Sequence, residues 1–147
     1  MPTTPPRDIS PDKTMTDVAN ALNLTKHADG YFENIDDPAQ RLVLLGAGDL
    51  LAWQRNTARQ VWLWLAGAPL ALTVSPDGHD AQAFHLDASR TDAVIAEQVW
   101  HTGETLGRWS LMRIEYAPAP DLRHPATPEY AALDWYPTPR GTRQADN

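Results

Sequence analysis

The chain has 147 residues, no cysteine, and 12 basic against 19 acidic side chains, a net charge of −7. That length fits one ordinary domain, the missing cysteines exclude disulfide and thiolate chemistry, and the acidic balance argues against nucleic-acid or anionic-membrane partners, which need basic patches. No run of 18 apolar residues is present, and the start MPTTPPRDISPDKTM has neither a basic lead nor an apolar stretch, so the expectation is a soluble cytoplasmic protein with no signal peptide.

Residues 1–13 carry four prolines and almost nothing apolar, and they are expected to form a disordered lead. Thr16 then opens TDVANALNL, where Val18 and Leu22 at i+4 spacing predict a helix of about two turns with Thr16 as its N-cap. Beyond His27 the pattern changes to short apolar runs broken by turn residues. GYFENI, RLVLLGAG, DLLAWQR, RQVWLWLAG, PLALTVS, AQAFHL, DAVIAEQVW and RWSLMRIEY read as eight strands, and Asp77-Gly78 in SPDGHD predicts a hairpin. Eight strands with little helix indicate an all-β jelly-roll or barrel fold. HTGETLG reads as a turn. Thr127-Pro128-Glu129 reads as a helix start, so a short helix or strap near 128–134 is expected to dock on the barrel. The organisation is therefore a disordered lead at 1–13, a barrel domain at 14–125, and a partly docked C-terminal extension at 126–147.

Strand parity sorts the side chains. Gln60, Trp62 and Trp64 share one face of their strand, and this mixture of an amide and two indoles suits a ligand cavity. Val61, Leu63 and Leu65 share the opposite, aliphatic face, which is expected to be covered by a second copy in a homodimer. Ala52 and Gln54 lie opposite Leu51 and Trp53, Val99 and His101 lie opposite Trp100, and Tyr31 and Glu33 share a face. A histidine at a strand end near glutamines is a candidate acid or base. Glu33 taken alone reads as a solvated carboxylate, and His79, His85 and His124 read as surface residues. The sequence contains no P-loop, no Gly-x-Gly-x-x-Gly, no Gly-x-Ser-x-Gly and no His-Glu-x-x-His; GAGD at 46–49 joins two strands, so it is not read as a phosphate loop.

Taken in order, Gly30-Tyr31-Phe32, Trp62 with Ala66-Gly67-Ala68-Pro69-Leu70, Ser75-Pro76-Asp77-Gly78 and Ala117-Pro118 resemble the cupin superfamily, in particular its small single-domain cupin-five branch of unassigned function. The resemblance runs from about Leu22 to Asp121 and implies a double-stranded β-helix. Cupins commonly hold a divalent metal through two histidines and a glutamate in a first motif and a histidine in a second. At the matching positions this chain has Ala52, Gln54 and Gln60, and only His101 is retained; Arg55 matches the first motif's arginine, and His27 the histidine of the early stretch. One imidazole with two neutral amides is a poor transition-metal set. The resemblance therefore implies a barrel with no metal and no cofactor.

Two functions follow as expectations. The first is a metal-independent enzyme catalysing isomerisation, epimerisation or cyclisation of a small organic substrate. His101, Tyr31 and His27 would handle protons, while Gln54, Gln60, Trp62, Trp64, Arg55 and Glu33 would bind the substrate. The alternative is a binding module that holds a small molecule without reacting.

Overall fold

The structure, a computed structural model, describes residues 12–34, 40–49, 51–117, 123 and 126–138. It is mainly β. Among the described residues one helix, α1 (Met15–Ala21), precedes eleven strands: β1 (Thr25–Lys26), β2 (Phe32–Asn34), β3 (Gln40–Gly46), β4 (Gln54–Asn56), β5 (Arg59–Gly67), β6 (Leu70–Ser75), β7 (Gln82–Leu86), β8 (Asp92–Ile95), β9 (Trp100–Thr105), β10 (Trp109–Ala117) and β11 (Pro128–Tyr130). They form two antiparallel sheets, ordered β1-β2-β3-β10-β5-β8 and β11-β4-β9-β6-β7. The facing sheets make the two walls of a jelly roll.

Alternation of side chains along the strands builds the core between the walls. Trp62, Leu70, Leu72, Leu86 and Met112 are fully buried there, together with Val43 and Leu45. A second cluster lies on the outer face of the larger sheet, where Val18 and Ala19 of α1 cover Leu44, Trp109 and Leu111. The two clusters meet at a β-bulge. Met112 of β10 faces Trp64 and Leu111 faces Ala66, so Leu65 is the extra residue in β5. Leu65 keeps its outward parity, and the bulge turns Ala66 onto the same helix-side cluster. Val61 and Leu63 stay half-buried on the uncovered part of that outer face, beside the exposed Val94.

Several local expectations need correction. The helix is capped by Thr14, whose side chain accepts the Asp17 N–H at 3.1 Å; Thr16 lies exposed in the first turn. Among the described residues of DLLAWQR, Gln54 and Arg55 are strand, at the start of β4. DAVIAEQVW splits into β8 and the start of β9, with Gln98 between them at a φ of 61°. Most of the expected turn HTGETLG is strand β9, because Gly103 is a buried strand position. A Cβ there would lie 3.0 Å from the Trp62 ring, so the glycine makes room for the indole. Of the short helix or strap expected near 128–134, the structure has a strap: Pro128–Tyr130 forms β11, which pairs with β4 and becomes the edge of the smaller sheet. Proline is compatible with such an edge position. In the expected lead, residues 1–11 lie outside the described residues, while the Lys13 carbonyl accepts the Trp109 indole N–H at 2.7 Å. The Asp77-Gly78 turn does join the hairpin partners β6 and β7.

Candidate functional site

At one end of the jelly roll a pocket of about 300 Å³ opens between the chain entering β2 and the C-terminal strap. His27, Asp29 and Tyr31 line one side, Leu51 and Ala52 the base, and Tyr130, Ala131 and Leu133 the strap side. The tight turn at Ala28–Gly30 builds the first wall. Its ends close through the His27 N–H donating to the Tyr31 carbonyl at 2.7 Å, and Gly30, at a φ of 109°, supplies the left-handed residue. The turn stacks the His27 and Tyr31 rings, with centroids 4.4 Å apart and planes within 11°.

Hydrogen bonding sets the state of these groups. The Asp29 N–H donates to His27 Nδ1 at 3.0 Å, so that nitrogen is the acceptor and neutral His27 carries its proton on Nε2. His27 Nε2 lies 4.0 Å from Glu33 Oε2, and the other Glu33 oxygen accepts from Arg41 Nη2 at 2.6 Å. Tyr31 is 3% exposed; burial, reinforced by Glu33, pushes its phenol up to about 12. At neutral pH it is a hydroxyl donor, not a phenolate. Arg41 keeps its charge although burial opposes it, because Tyr116 and Glu33 outweigh that cost.

The strap completes the pocket from outside. β11 extends the smaller sheet beyond β4, and the Ala131 N–H donates to the Trp53 carbonyl at 2.8 Å. Trp135 sits edge-on to Trp53 at 5.7 Å and tilted on Trp100 at 5.1 Å. Arg55 donates to Glu129 at 2.8 Å and lies 4.6 Å over the Trp100 ring. Arg55 is thus a clamp for the strap on the outer face and does not reach the pocket.

The four positions that resemble a metal-binding set lie in the interior. His101 is 1% exposed and pairs across the strands with Gln54, which is also buried. Its Nδ1–H donates to the Val99 carbonyl at 2.9 Å, which leaves the Nε2 lone pair buried without a partner. Burial pulls this imidazole down to about 4, so it is neutral. That lone pair would suit a metal, but the rest of the set does not. Ala52 has no donor atom, Gln60 Oε1 already accepts from Trp62 Nε1 at 2.8 Å, and Gln54 is a neutral amide. Among the described residues no three His, Asp or Glu side chains are grouped to hold an ion. One imidazole and neutral amides do not fit a tightly held divalent metal.

The candidate residues therefore separate. His27 and Tyr31 line the pocket, with Glu33 behind His27; Gln54, Gln60, Trp62 and His101 are buried in the barrel. Trp64 packs against the core with its indole N–H on the Ala68 carbonyl at 2.9 Å. Glu33 is held by Arg41 and is not the solvated carboxylate its sequence context predicts. His79 is half-buried, its Nδ1 donating to the Thr138 carbonyl at 3.0 Å; His85 is exposed, and His124 lies outside the described residues. Sequence reading missed Asp29, Arg41, Tyr116 and Tyr130. Parity carried a signal for two of them. Arg41 shares its strand face with the core residues Val43 and Leu45, and Tyr116 shares one with Met112 and Ile114.

The family described as Cupin superfamily (DUF985) matches residues 40–124. No curated protein matches the chain. Among solved structures, a protein from Shewanella oneidensis is similar at a TM-score of 0.67 and 17% identity, covering 86% of this chain and 99% of that one. A hypothetical protein from Leishmania major is similar at 0.65 and 15%, covering 80% and 86%. An oxalate decarboxylase is similar at 0.60 and 14%, covering 74% of this chain and 30% of the decarboxylase. At these identities the likeness is one of fold.

Proposed function

The chain belongs to the Cupin_5 (DUF985) family of the cupin superfamily, and on that premise we propose that it is a small-molecule-binding barrel whose ligand sits in the mouth pocket, not at the interior position of a metal. One observation carries this reading: barrel and strap jointly enclose the pocket, with Tyr130, Ala131 and Leu133 facing His27, Tyr31 and Ala52. Its volume is at the small end of ligand cavities, which run from about 300 to 1,000 Å³. Its walls combine apolar surface with a few polar groups, the usual composition of such sites. The histidines favour holding over reacting. His101 is sealed in the core, and the His27 Nδ1 lone pair is already used by the Asp29 N–H.

The test is a saturation-transfer NMR screen of a library of small organic fragments against the wild type and Ala131→Trp, which fills the pocket from the strap. Hits that bind the wild type, are lost in the variant and are recovered unchanged support the reading. Hits that bind both proteins equally would contradict it, provided the variant keeps its melting temperature.

A second reading, a metal-independent isomerase, epimerase or cyclase, is favoured by one contact. His27 Nε2 faces Glu33 at 4.0 Å and the imidazole stacks on the Tyr31 ring, an arrangement that could move a proton. Recovery of an isomer in place of the fragment added, lost in Tyr31→Phe, would select this reading.

A further inference from the structure

Resting on the mouth-pocket reading, we infer that the ligand class is a small primary or secondary ammonium carried on an apolar body, with its charge at the Asp29 carboxylate and its body against the Tyr130 ring and Leu133.

Three features of the site point to a cation. Asp29 lines the pocket with its carboxylate about one-third exposed, and the described lining includes no lysine or arginine. The neighbouring ring does not neutralise it. Asp29 Oδ2 lies 3.7 Å from His27 Nδ1, but that nitrogen is an acceptor for the Asp29 backbone N–H and presents a lone pair. Arg41, the nearest guanidinium in the cluster, has Glu33 at 2.6 Å and so does not supply a positive charge to the mouth.

The accessible Tyr130 ring agrees with this polarity, because a tyrosine face attracts cations through its quadrupole. The chain's charge of −7 adds a favourable long-range field for a cation and an unfavourable one for a carboxylate or phosphate. A phosphorylated or nucleotide-linked ligand would meet the Asp29 carboxylate with no lysine or arginine in the described lining to offset it. A small amine meets a carboxylate, the Tyr130 ring and an apolar base formed by Leu51 and Ala52.

The experiment uses three probes of one shape and different charge, benzylamine, benzyl alcohol and benzoate, titrated at neutral pH into the isotopically labelled full chain with backbone amide shifts recorded. Benzylamine is expected to shift Asp29, Gly30, Ala52 and Ala131 and to bind at least about tenfold more tightly than benzoate. Asp29→Asn should weaken benzylamine by a similar factor and leave benzyl alcohol unchanged. If benzyl alcohol or benzoate binds these residues as tightly as benzylamine, or Asp29→Asn has no effect, the cation inference is overturned while the pocket stands. If none of the probes shifts the pocket amides, the pocket reading itself falls, and the inference with it.

Discussion

Trp62 meets the imidazole of His101 edge-on, with ring centroids 5.5 Å apart and planes at 89°. Each ring uses one N–H locally: the indole donates to Gln60, the imidazole to the Val99 carbonyl. Both residues are essentially inaccessible. The interior that the family resemblance assigns to a metal is therefore packed core, with His101 Nε2 left without a hydrogen-bond partner among the described residues.

Burial of His101 makes stability depend on pH. Its folded value of about 4 lies below the ordinary 6.5 because burial disfavours the charged form. As pH falls through 6.5 the unfolded chain takes up the proton first. Stability is therefore full above that value, declines between about 6.5 and 4, and levels off below; the loss is about 3 kcal/mol in all. Urea titrations across this window should show a shallower decline for His101→Gln than for the wild type. Equal slopes would mean that His101 is not the titrating group.

The two candidate helix caps give opposite expectations. Thr14→Ala removes the side-chain acceptor for the Asp17 N–H and should cost about 1 kcal/mol. Thr16→Ala, at an exposed helical position, should change stability by less than about 0.5 kcal/mol. Chemical denaturation of both variants decides between them.

The strap is held mainly by aromatic packing. Trp135→Ala removes contacts to Trp53 and Trp100 and should make residues 126–138 the first site of limited proteolysis, with the barrel's own transition retained. The Arg55–Glu129 pair is substantially exposed, so Glu129→Gln should cost less than about 1 kcal/mol, and less still at high salt. A strap equally protected in Trp135→Ala would place its anchor elsewhere.

Incubation with iron, nickel, manganese or zinc should leave less than about 0.1 equivalent bound after desalting, because one imidazole with neutral amides is a weak set. Plasma mass spectrometry reads this directly. Close to one equivalent, lost in His101→Ala, would mean that Gln54 or Gln60 serves as a ligand.

Much of the jelly roll was legible in the residues. Alternation in RQVWLWLAG turns Gln60 and Trp62 inward, and the structure buries both. Parity failed where the backbone breaks its own period: after Leu65 a bulge shifts the register and turns Ala66 outward, and no residue type in LWLAG signals it. Gly103 looked like a turn residue because glycine is common in turns, whereas here it clears space for Trp62. Thr127-Pro128-Glu129 looked like a helix start, and the open edge of β4 overrode that local preference.

The site was less legible. The pocket joins Tyr31 to Tyr130 and Leu133, about a hundred residues apart in sequence, and only tertiary docking of the strap brings them together. His101 and Gln54 were readable as neighbours, but that they are sealed from solvent depends on how Trp62 fills the barrel. The expected homodimer rests on Val61, Leu63 and Leu65; Leu65 packs on the chain's own helix-side cluster, which leaves Val61 and Leu63 beside exposed Val94, and size-exclusion chromatography with light scattering addresses that pairing.

The most direct measurement is a backbone amide shift map of the full chain with the fragments that bind it. Shifts gathered at residues 27–31, at Ala52 and at Ala131, with His101 and Gln54 unmoved, are expected for a ligand in the mouth pocket. Shifts centred on Gln54, Gln60 and His101 would contradict that placement and would put the ligand in the barrel interior.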